Sequence, residues 1–405
     1  MESKRLIVVK YGGSVLEGGS EIRKAAEAIK REHDAGKSVV VVVSALKGLT
    51  DKLLSAAEAI SPITPPDVVD HIIGLGEEQS VRLMTAALRS LGVDAVEVTL
   101  NSPSWPIMTD ETYGDAVPIL EECKSGAELG LRPLIRRGRV PVVCGFVGRS
   151  PSGKTTTLGR GGSDTTAVLL AHCLGADELV LVKDVEGIYS ADPSKVEDAR
   201  HIEVLEAWEA HLLASAGADV LQSKVFRYVP EDLKIRIVSK SGALDEGGTV
   251  IRGAIPRLEV ETHERPVLRM VVVGDVISKP EVMAQICRKI QDKGGRVLSL
   301  TAQEQAATFY VDGEPLEVLR GVHSLVEGTN HIKAVTEAED LALTTIRGGA
   351  LDDAAGPLQS IISPLASRGI DIHGALIGPS SVSILVEWER REEASRIIKE
   401  SLGGA

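Results

Sequence analysis

Leu6-Ile7-Val8-Val9-Lys10-Tyr11-Gly12-Gly13-Ser14, near the amino terminus, decides how the chain is read. Leu6–Tyr11 is an apolar, β-branched run suited to a buried strand, and it stops at a glycine turn. Ile22, Ala25, Ala26, Ile29 and Ala35 then follow helical spacing up to a stop at Gly36, after which Ser38–Val43 forms a second apolar run. Strand, helix and strand in that order make a β-α-β unit. Lys10 is the exception inside it: burying an ammonium is costly without an anion, and phosphate is the natural partner beside two glycines.

The same alternation continues outward. Ala95–Leu100, Val140–Val147 and Leu179–Val182 read as further strands, with a helix over Thr165–Leu174 between the last two. Asp67–Leu91 is mostly helical, with Gly74 and Gly76 marking a bend or a close approach to ligand. The pattern predicts an α/β fold, a mainly parallel sheet sandwiched by helices. Ligands of such sheets collect at the carboxyl ends of the strands. Lys10, Gly12, Gly13, Ser44, Gly145 and Asp184 all fall at such ends.

Gly159-Arg160-Gly161-Gly162-Ser163-Asp164-Thr165-Thr166 lies just before the Thr165–Leu174 helix. Its glycines let a ligand approach the backbone, and Ser163 is expected as the N-cap. A helix amino terminus presents unpaired N–H groups and the positive dipole end to an anion. Arg160 adds a fork for carboxylate or phosphate, and Asp164 an acceptor for a metal or hydroxyl. Gly148–Thr155 fits the phosphate-loop pattern Gly-x-x-x-x-Gly-Lys-Thr. A true phosphate loop runs straight into a helix, whereas Thr155-Thr156-Thr157-Leu158-Gly159 leads to another glycine turn. A hairpin or lid is expected there instead. Glu77 and Ser80 lie one turn apart beside Gly76, and Lys183-Asp184-Val185-Glu186-Gly187-Ile188-Tyr189 follows a strand with an acid and a ring suited to a nucleotide.

Composition limits the partners. The 405 residues are enough for two or three domains, and 43% hydrophobic with 25% charged residues is ordinary for a soluble protein. A net charge of −13 opposes nucleic acid and anionic membrane. No apolar run approaches a membrane span. Cys123, Cys144, Cys173 and Cys287 are widely spaced and read as core residues of a reducing compartment, so a cytoplasmic location is expected.

The rhythm changes in the second half. Residues 1–252 read as the first domain and 253–265 as a linker. Val267–Val273, Pro280–Lys293, Arg296–Leu300, Ala307–Val311 and Pro315–Val326 run strand, helix, strand, strand, helix. Leu341–Ile346, Pro357–Arg368, Ile370–Ile377, Val382–Trp388 and Glu392–Ser401 repeat the order. Two ferredoxin-like β-α-β-β-α-β units are therefore expected, over 266–332 and 333–405, with strands able to interleave between them.

Taken together, these motifs resemble the aspartate kinases of the amino-acid kinase family. Lys10-Tyr11-Gly12-Gly13-Ser14 is similar to that family's opening Lys-Phe-Gly-Gly-Thr, and Val43-Ser44-Ala45 with Gly48 and Thr50 to its second-strand signature. Gly76-Glu77 with Ser80 matches its Gly-Glu-x-x-Ser, and the segment Thr156–Asp164 is present whole. Asp184-Val185, Gly187-Ile188-Tyr189 and Ala191-Asp192-Pro193 resemble its nucleotide segment. The C-terminal repeats look like the paired ACT domains of the same enzymes. Lys183 stands where threonine is common, Ser194 where arginine is common, and Gln222-Ser223 replaces His-Pro.

The resemblance implies ATP-dependent phosphorylation of the side-chain carboxylate of L-aspartate, the first step towards lysine, threonine and methionine. It gives Lys10, Gly12 and Gly13 to the phosphates, with Asp164 organising Lys10. Glu77 would hold the substrate ammonium and Arg160 its carboxylate, with Ser44, Thr50 and Ser163 completing the acceptor pocket. Lys183, Asp184, Tyr189, Lys195 and Lys240 would serve ATP, with Lys195 taking the place of the missing arginine. Mg²⁺ is expected on the ATP phosphates rather than on protein ligands. A homodimer or higher homo-oligomer through the ACT repeats and control by an amino-acid effector are further implications. Another acceptor within the superfamily, or a non-catalytic amino-acid sensor that keeps the kinase shell, stay open as alternatives.

Overall fold

The computed structural model describes residues 4–61, 63–218, 221–255, 258–348, 351, 355–378 and 380–403. The chain divides into two compact units, Met1–Ile255 and Pro256–Ala405.

The first unit opens with β1 (Leu6–Tyr11), α1 (Gly19–Asp34) and β2 (Ser38–Val43). Then come α2 (Leu49–Ile60), α3 (Pro66–Ser90), β3 (Ala95–Val98), α4 (Leu120–Gly126), α5 (Arg132–Arg136) and β4 (Val140–Cys144). A hairpin of β5 (Val147–Arg149) and β6 (Thr155–Thr157) leads to α6 (Gly162–Leu174) and β7 (Glu178–Lys183). The unit finishes with β8 (Ile188–Tyr189), β9 (His201–Ile202), β10 (Val204–Glu206), α7 (Ala207–Ser215), β11 (Lys234–Ser239) and β12 (Thr249–Arg252). Eight of these strands form one sheet in the order β10-β12-β11-β7-β1-β2-β4-β3, and only β11 and β12 pair antiparallel.

Parallel pairing explains the composition of the strands. Helices cover both faces of such a sheet, so a strand inside it must be apolar on both sides. Val39–Val43 is fully buried accordingly. Register then aligns the strand ends: Lys10 lies opposite Val42 on one side and Leu181 on the other, so β1, β2 and β7 deliver their carboxyl termini to one edge.

Three local expectations need correction. Val140–Val147 is not one strand: β4 stops at Cys144, and the chain turns through Phe146 at φ 70, whose N–H is accepted by Thr166 Oγ1 at 3.1 Å. Ser163 is not the N-cap of α6. That place belongs to Gly161 in the left-handed region (φ 73), and Ser163 sits inside the first turn. Helix α3 runs unbroken through Gly74 and Gly76; α2 was not foreseen at all. The hairpin expected in place of a phosphate loop is present as β5–β6.

The second unit begins with β13 (Glu259–Thr262) and β14 (Val267–Gly274), then α8 (Pro280–Asp292), β15 (Arg296–Gln303), β16 (Ala306–Asp312) and α9 (Pro315–His323). It continues with β17 (Ile332–Arg347), α10 (Ala355–Ser367), β18 (Gly374–Gly378), β19 (Ser381–Glu387) and α11 (Arg391–Gly403). One antiparallel sheet runs β15-β16-β14-β17-β19-β18, with β13 also on β17. The early half of β17 pairs with β14 and closes the first β-α-β-β-α-β copy; its later half pairs with β19 and with β13. The stretch 253–265, expected as a linker, thus holds the fourth strand of the second copy. The copies interleave through one 16-residue strand that crosses the expected 332/333 boundary.

Candidate active site

The carboxyl edge of the first unit's sheet opens on a cleft of about 720 Å³. Lys10, Gly13, Ser44, Thr50, Glu77, Arg160, Ser163 and Asp164 all line it. Residues from four separate segments of the sequence therefore meet, as the strand-end argument requires.

At its floor, Lys10 Nζ lies 2.7 Å from Asp164 Oδ1, and Lys183 Nζ lies 2.9 Å from Asp164 Oδ2. Lys10 is only 5% exposed. Burial pushes the Lys10 ammonium pKa down; Asp164 opposes that shift and Lys183 adds to it. Burial also pushes the Asp164 carboxyl upward, but the two ammonium groups outweigh it and hold the carboxyl at about 2. Asp164 can stay ionised here because it belongs to the first turn of α6, at the positive end of the helix, and meets both cations. Gly12 and Gly13 are needed as glycines for space. A Cβ on Gly13 would stand 2.8 Å from the Ala45 carbonyl, and one on Gly12 would stand 3.1 Å from Lys10 Nζ.

Glu77 also lines the cleft. Gly76 lets α3 come close to the chain after β2, since a Cβ there would meet the Ala45 Cβ at 2.9 Å. That approach lets Glu77 Oε1 accept the Ala45 N–H at 3.0 Å. The other oxygen, Oε2, is buried without a hydrogen-bond partner among the described residues. Burial pushes the carboxyl up to about 8, against the smaller pull of the Ala45 N–H. A buried carboxylate with one open oxygen is a cation receptor. Arg160, by contrast, is exposed at the rim and has no ion-pair partner among the described residues.

Asp70 is a buried cleft residue that the sequence did not single out. Its Oδ2 accepts the N–H groups of Thr157 (2.8 Å) and Gly114 (3.0 Å), and its Oδ1 accepts the Thr157 hydroxyl (2.9 Å). It fastens α3 to β6 and so fixes the wall that ends in Arg160. Nothing local marks it, because an acid on a helix ordinarily faces water. Only the three donors brought from residues 114 and 157 make it a buried anchor.

The residues assigned to the nucleotide divide into two groups. Lys183 joins the cluster directly, and the Lys240 N–H donates to the Lys183 carbonyl at 2.9 Å, placing β11's end beside it. The Lys240 ammonium lies 3.8 Å from Glu17. Asp184, Tyr189 and Lys195 are not among the cleft's lining residues. Asp184 is exposed, the Tyr189 ring stands edge-on to His201 at 5.4 Å, and Lys195 pairs with Asp192 at 3.2 Å on an exposed loop.

These residues gather at the carboxyl edge of a mainly parallel α/β sheet. The amino acid kinase family matches residues 5–239, and the chain belongs to that family. Its relatives over nearly the whole length are more specific. The aspartokinase of Mycolicibacterium smegmatis is 30% identical over 415 residues, which cover 98% of this chain and 96% of that one. The aspartate kinase of Pseudomonas putida is 31% identical over 415 residues, covering 97% and 96%. Of solved structures, the aspartate kinase from Synechocystis has a TM-score of 0.79 at 24% identity, covering 98% of this chain and 69% of that chain. E. coli aspartokinase III in complex with aspartate and ADP has a TM-score of 0.57 at 24% identity, covering 98% and 100%. At that identity the two structures speak for the fold.

No helix among the described residues is long and apolar enough to cross a membrane.

Proposed function

We propose that this chain transfers the γ-phosphoryl group of ATP to the side-chain carboxylate of L-aspartate, giving 4-phospho-L-aspartate and ADP. The observation that carries the reading is the buried Lys10–Asp164–Lys183 cluster at a cleft that Glu77, with one open oxygen, also lines. The acceptor carboxylate is already ionised, so no general base is required. The obstacle is repulsion between two anions, about 4 kcal/mol for unit charges at about 4 Å and an effective dielectric near 20. Cations already gathered at the strand ends offset it.

In this reading Glu77 takes the substrate ammonium, Arg160 its α-carboxylate, and Ser44, Thr50 and Ser163 supply hydroxyls. Lys10 receives the phosphoryl group in transit, Gly12 and Gly13 let the phosphates approach the backbone, and Lys240 lies on the nucleotide side. Asp184 and Tyr189 serve ATP from outside the apo cleft, and Lys195, on an exposed loop, adds little to it. Among the described residues no three acidic, histidine or cysteine side chains gather to hold a metal; Mg²⁺ in this reading arrives with ATP, on its phosphate oxygens. The second unit is assigned to paired ACT domains, assembly into a homo-oligomer and response to an amino acid. The protein is assigned to the cytoplasm.

A coupled ADP-release assay over aspartate, glutamate and acetylglutamate tests the acceptor. Turnover with aspartate alone is expected. Turnover with a different acceptor reassigns the substrate, and silence with all three refutes the kinase reading.

A further inference from the structure

Lys183 is unexplained by the needs of folding. Asp164 requires one cation to be neutralised in its buried position, and Lys10 supplies it at 2.7 Å. Lys183 brings a second ammonium to the other carboxylate oxygen at 2.9 Å. The cluster then holds one more positive than negative charge, with the Lys183 side chain only 17% exposed and Lys10 more buried still. A buried surplus of charge is unfavourable unless an anion comes to it. Among the described residues Asp164 is the one carboxylate within ion-pair distance of either lysine.

Position says which anion. Lys10 is the penultimate residue of β1 and Lys183 the last of β7, neighbouring parallel strands, so the two lysines reach Asp164 from adjacent strand ends. Lys10 and Asp164 line the acceptor cleft, whereas Lys183 does not; its carbonyl accepts the N–H of Lys240, the residue after β11. Three lysines thus stand on three consecutive strand ends along the edge where phosphates collect.

We propose that Lys183 is a second phosphoryl-transfer cation, released from Asp164 by ATP to hold the charge that builds on the departing β-phosphate. The inference rests on the kinase reading above. In the step, a bond forms between an aspartate side-chain oxygen and the γ-phosphorus while the bond from that phosphorus to the β–γ bridging oxygen breaks. The bonding electron pair leaves with ADP, and neither lysine gains or loses a proton. Lys10 follows the phosphoryl group, Lys183 the leaving group, and Asp164 keeps both within reach.

The test uses the full chain with Lys183→Met and Lys183→Arg, measuring steady-state kinetics, ATP affinity by titration calorimetry, and thermal unfolding. Lys183→Met is expected to lower kcat on the order of a hundredfold and weaken ATP about tenfold, with the aspartate KM within about twofold of wild type. Lys183→Arg is expected to recover about tenfold of the lost kcat, because charge rather than packing is at stake. Wild-type kcat and ATP affinity in Lys183→Met would overturn the proposal, as would a loss confined to the aspartate KM. If Lys183→Met unfolds, Lys183→Gln, which still donates to Asp164, takes its place with the same outcomes. A wild-type chain that turns over no aspartate refutes the parent reading instead, and the ATP titration alone then decides Lys183.

Discussion

Strand β7 begins at Glu178 and ends at Lys183, and a buried ion cluster sits at each end. At the first end, Glu178 meets Arg5 at 2.7 Å, Arg236 at 2.9 Å and Lys234 at 3.1 Å. At the second, Asp164 meets Lys10 and Lys183. Each cluster has more cations than its single carboxylate balances, but the surplus is disposed of differently. Arg5 and Lys234 are 47% and 29% exposed, so water solvates what Glu178 does not, and Arg236 donates onward to the Gly247 carbonyl at 2.8 Å. The surplus beside Asp164 is less exposed, 6% for the Lys10 side chain and 17% for that of Lys183, and it borders a cleft. A cluster that is complete without a ligand holds the sheet together; one that stays incomplete waits for an anion.

Lys10→Ala breaks the second cluster and should produce the largest change. A fall in kcat of at least a thousandfold, about 4 kcal/mol, is expected with far-ultraviolet circular dichroism unchanged. Near-normal turnover would remove Lys10 from the mechanism. Glu178→Ala attacks the first cluster and should do the reverse: a loss of about 3 kcal/mol in denaturant unfolding, since three cations lose their partner, with kcat per folded molecule unaltered. Equal effects of the two variants on kcat would dissolve the distinction between the clusters.

Glu77→Gln sharpens it further. Removing the open carboxylate oxygen should raise the aspartate KM roughly thirtyfold, about 2 kcal/mol, and leave ATP affinity alone. Burial keeps the Glu77 proton on up to about pH 8 in the free protein. The aspartate kcat/KM of the wild type should therefore rise with pH towards that value and then level. The stability sign is opposite. The folded state binds a proton that the unfolded chain loses in the ordinary carboxylate range, so wild-type stability falls as pH rises from there to about 8. Glu77→Gln should match wild type in thermal unfolding at low pH and exceed it above pH 8; parallel melting curves at every pH would contradict the burial argument. Arg160→Ala should raise the aspartate KM about tenfold with no change in stability, because the side chain is exposed and unpaired. Lys195→Ala, on an exposed loop pair, should alter the ATP KM by less than about twofold.

Much of this site was legible because parallel sheets concentrate function at strand ends. A lysine closing the Leu6–Val9 run, a glutamate behind Gly76, and an acid in a glycine-rich helix start each violate local expectation, and each proves to line the cleft. What escaped depended on partners distant in sequence. Asp70 looks like a surface acid until residues 114 and 157 arrive. The turn at Phe146 needed the Thr166 hydroxyl to hold its N–H, and no run of valines could reveal it. Glu259–Thr262 reads as linker because its pairing strand ends 85 residues later, at Thr344–Arg347. Ser163 failed as a cap for a local reason: Gly161 adopts the left-handed conformation first and starts the helix two residues early.

The central claim is that the cluster around Asp164 serves transfer of a phosphoryl group to a carboxylate. Hydroxylamine trapping of the acyl phosphate tests it directly, with wild type and Lys10→Ala run on aspartate and ATP. The account predicts aspartyl hydroxamate from the wild type, none from Lys10→Ala, and undiminished yield per folded molecule from Glu178→Ala. Absence of hydroxamate from the folded wild type, or its undiminished formation by Lys10→Ala, would contradict it.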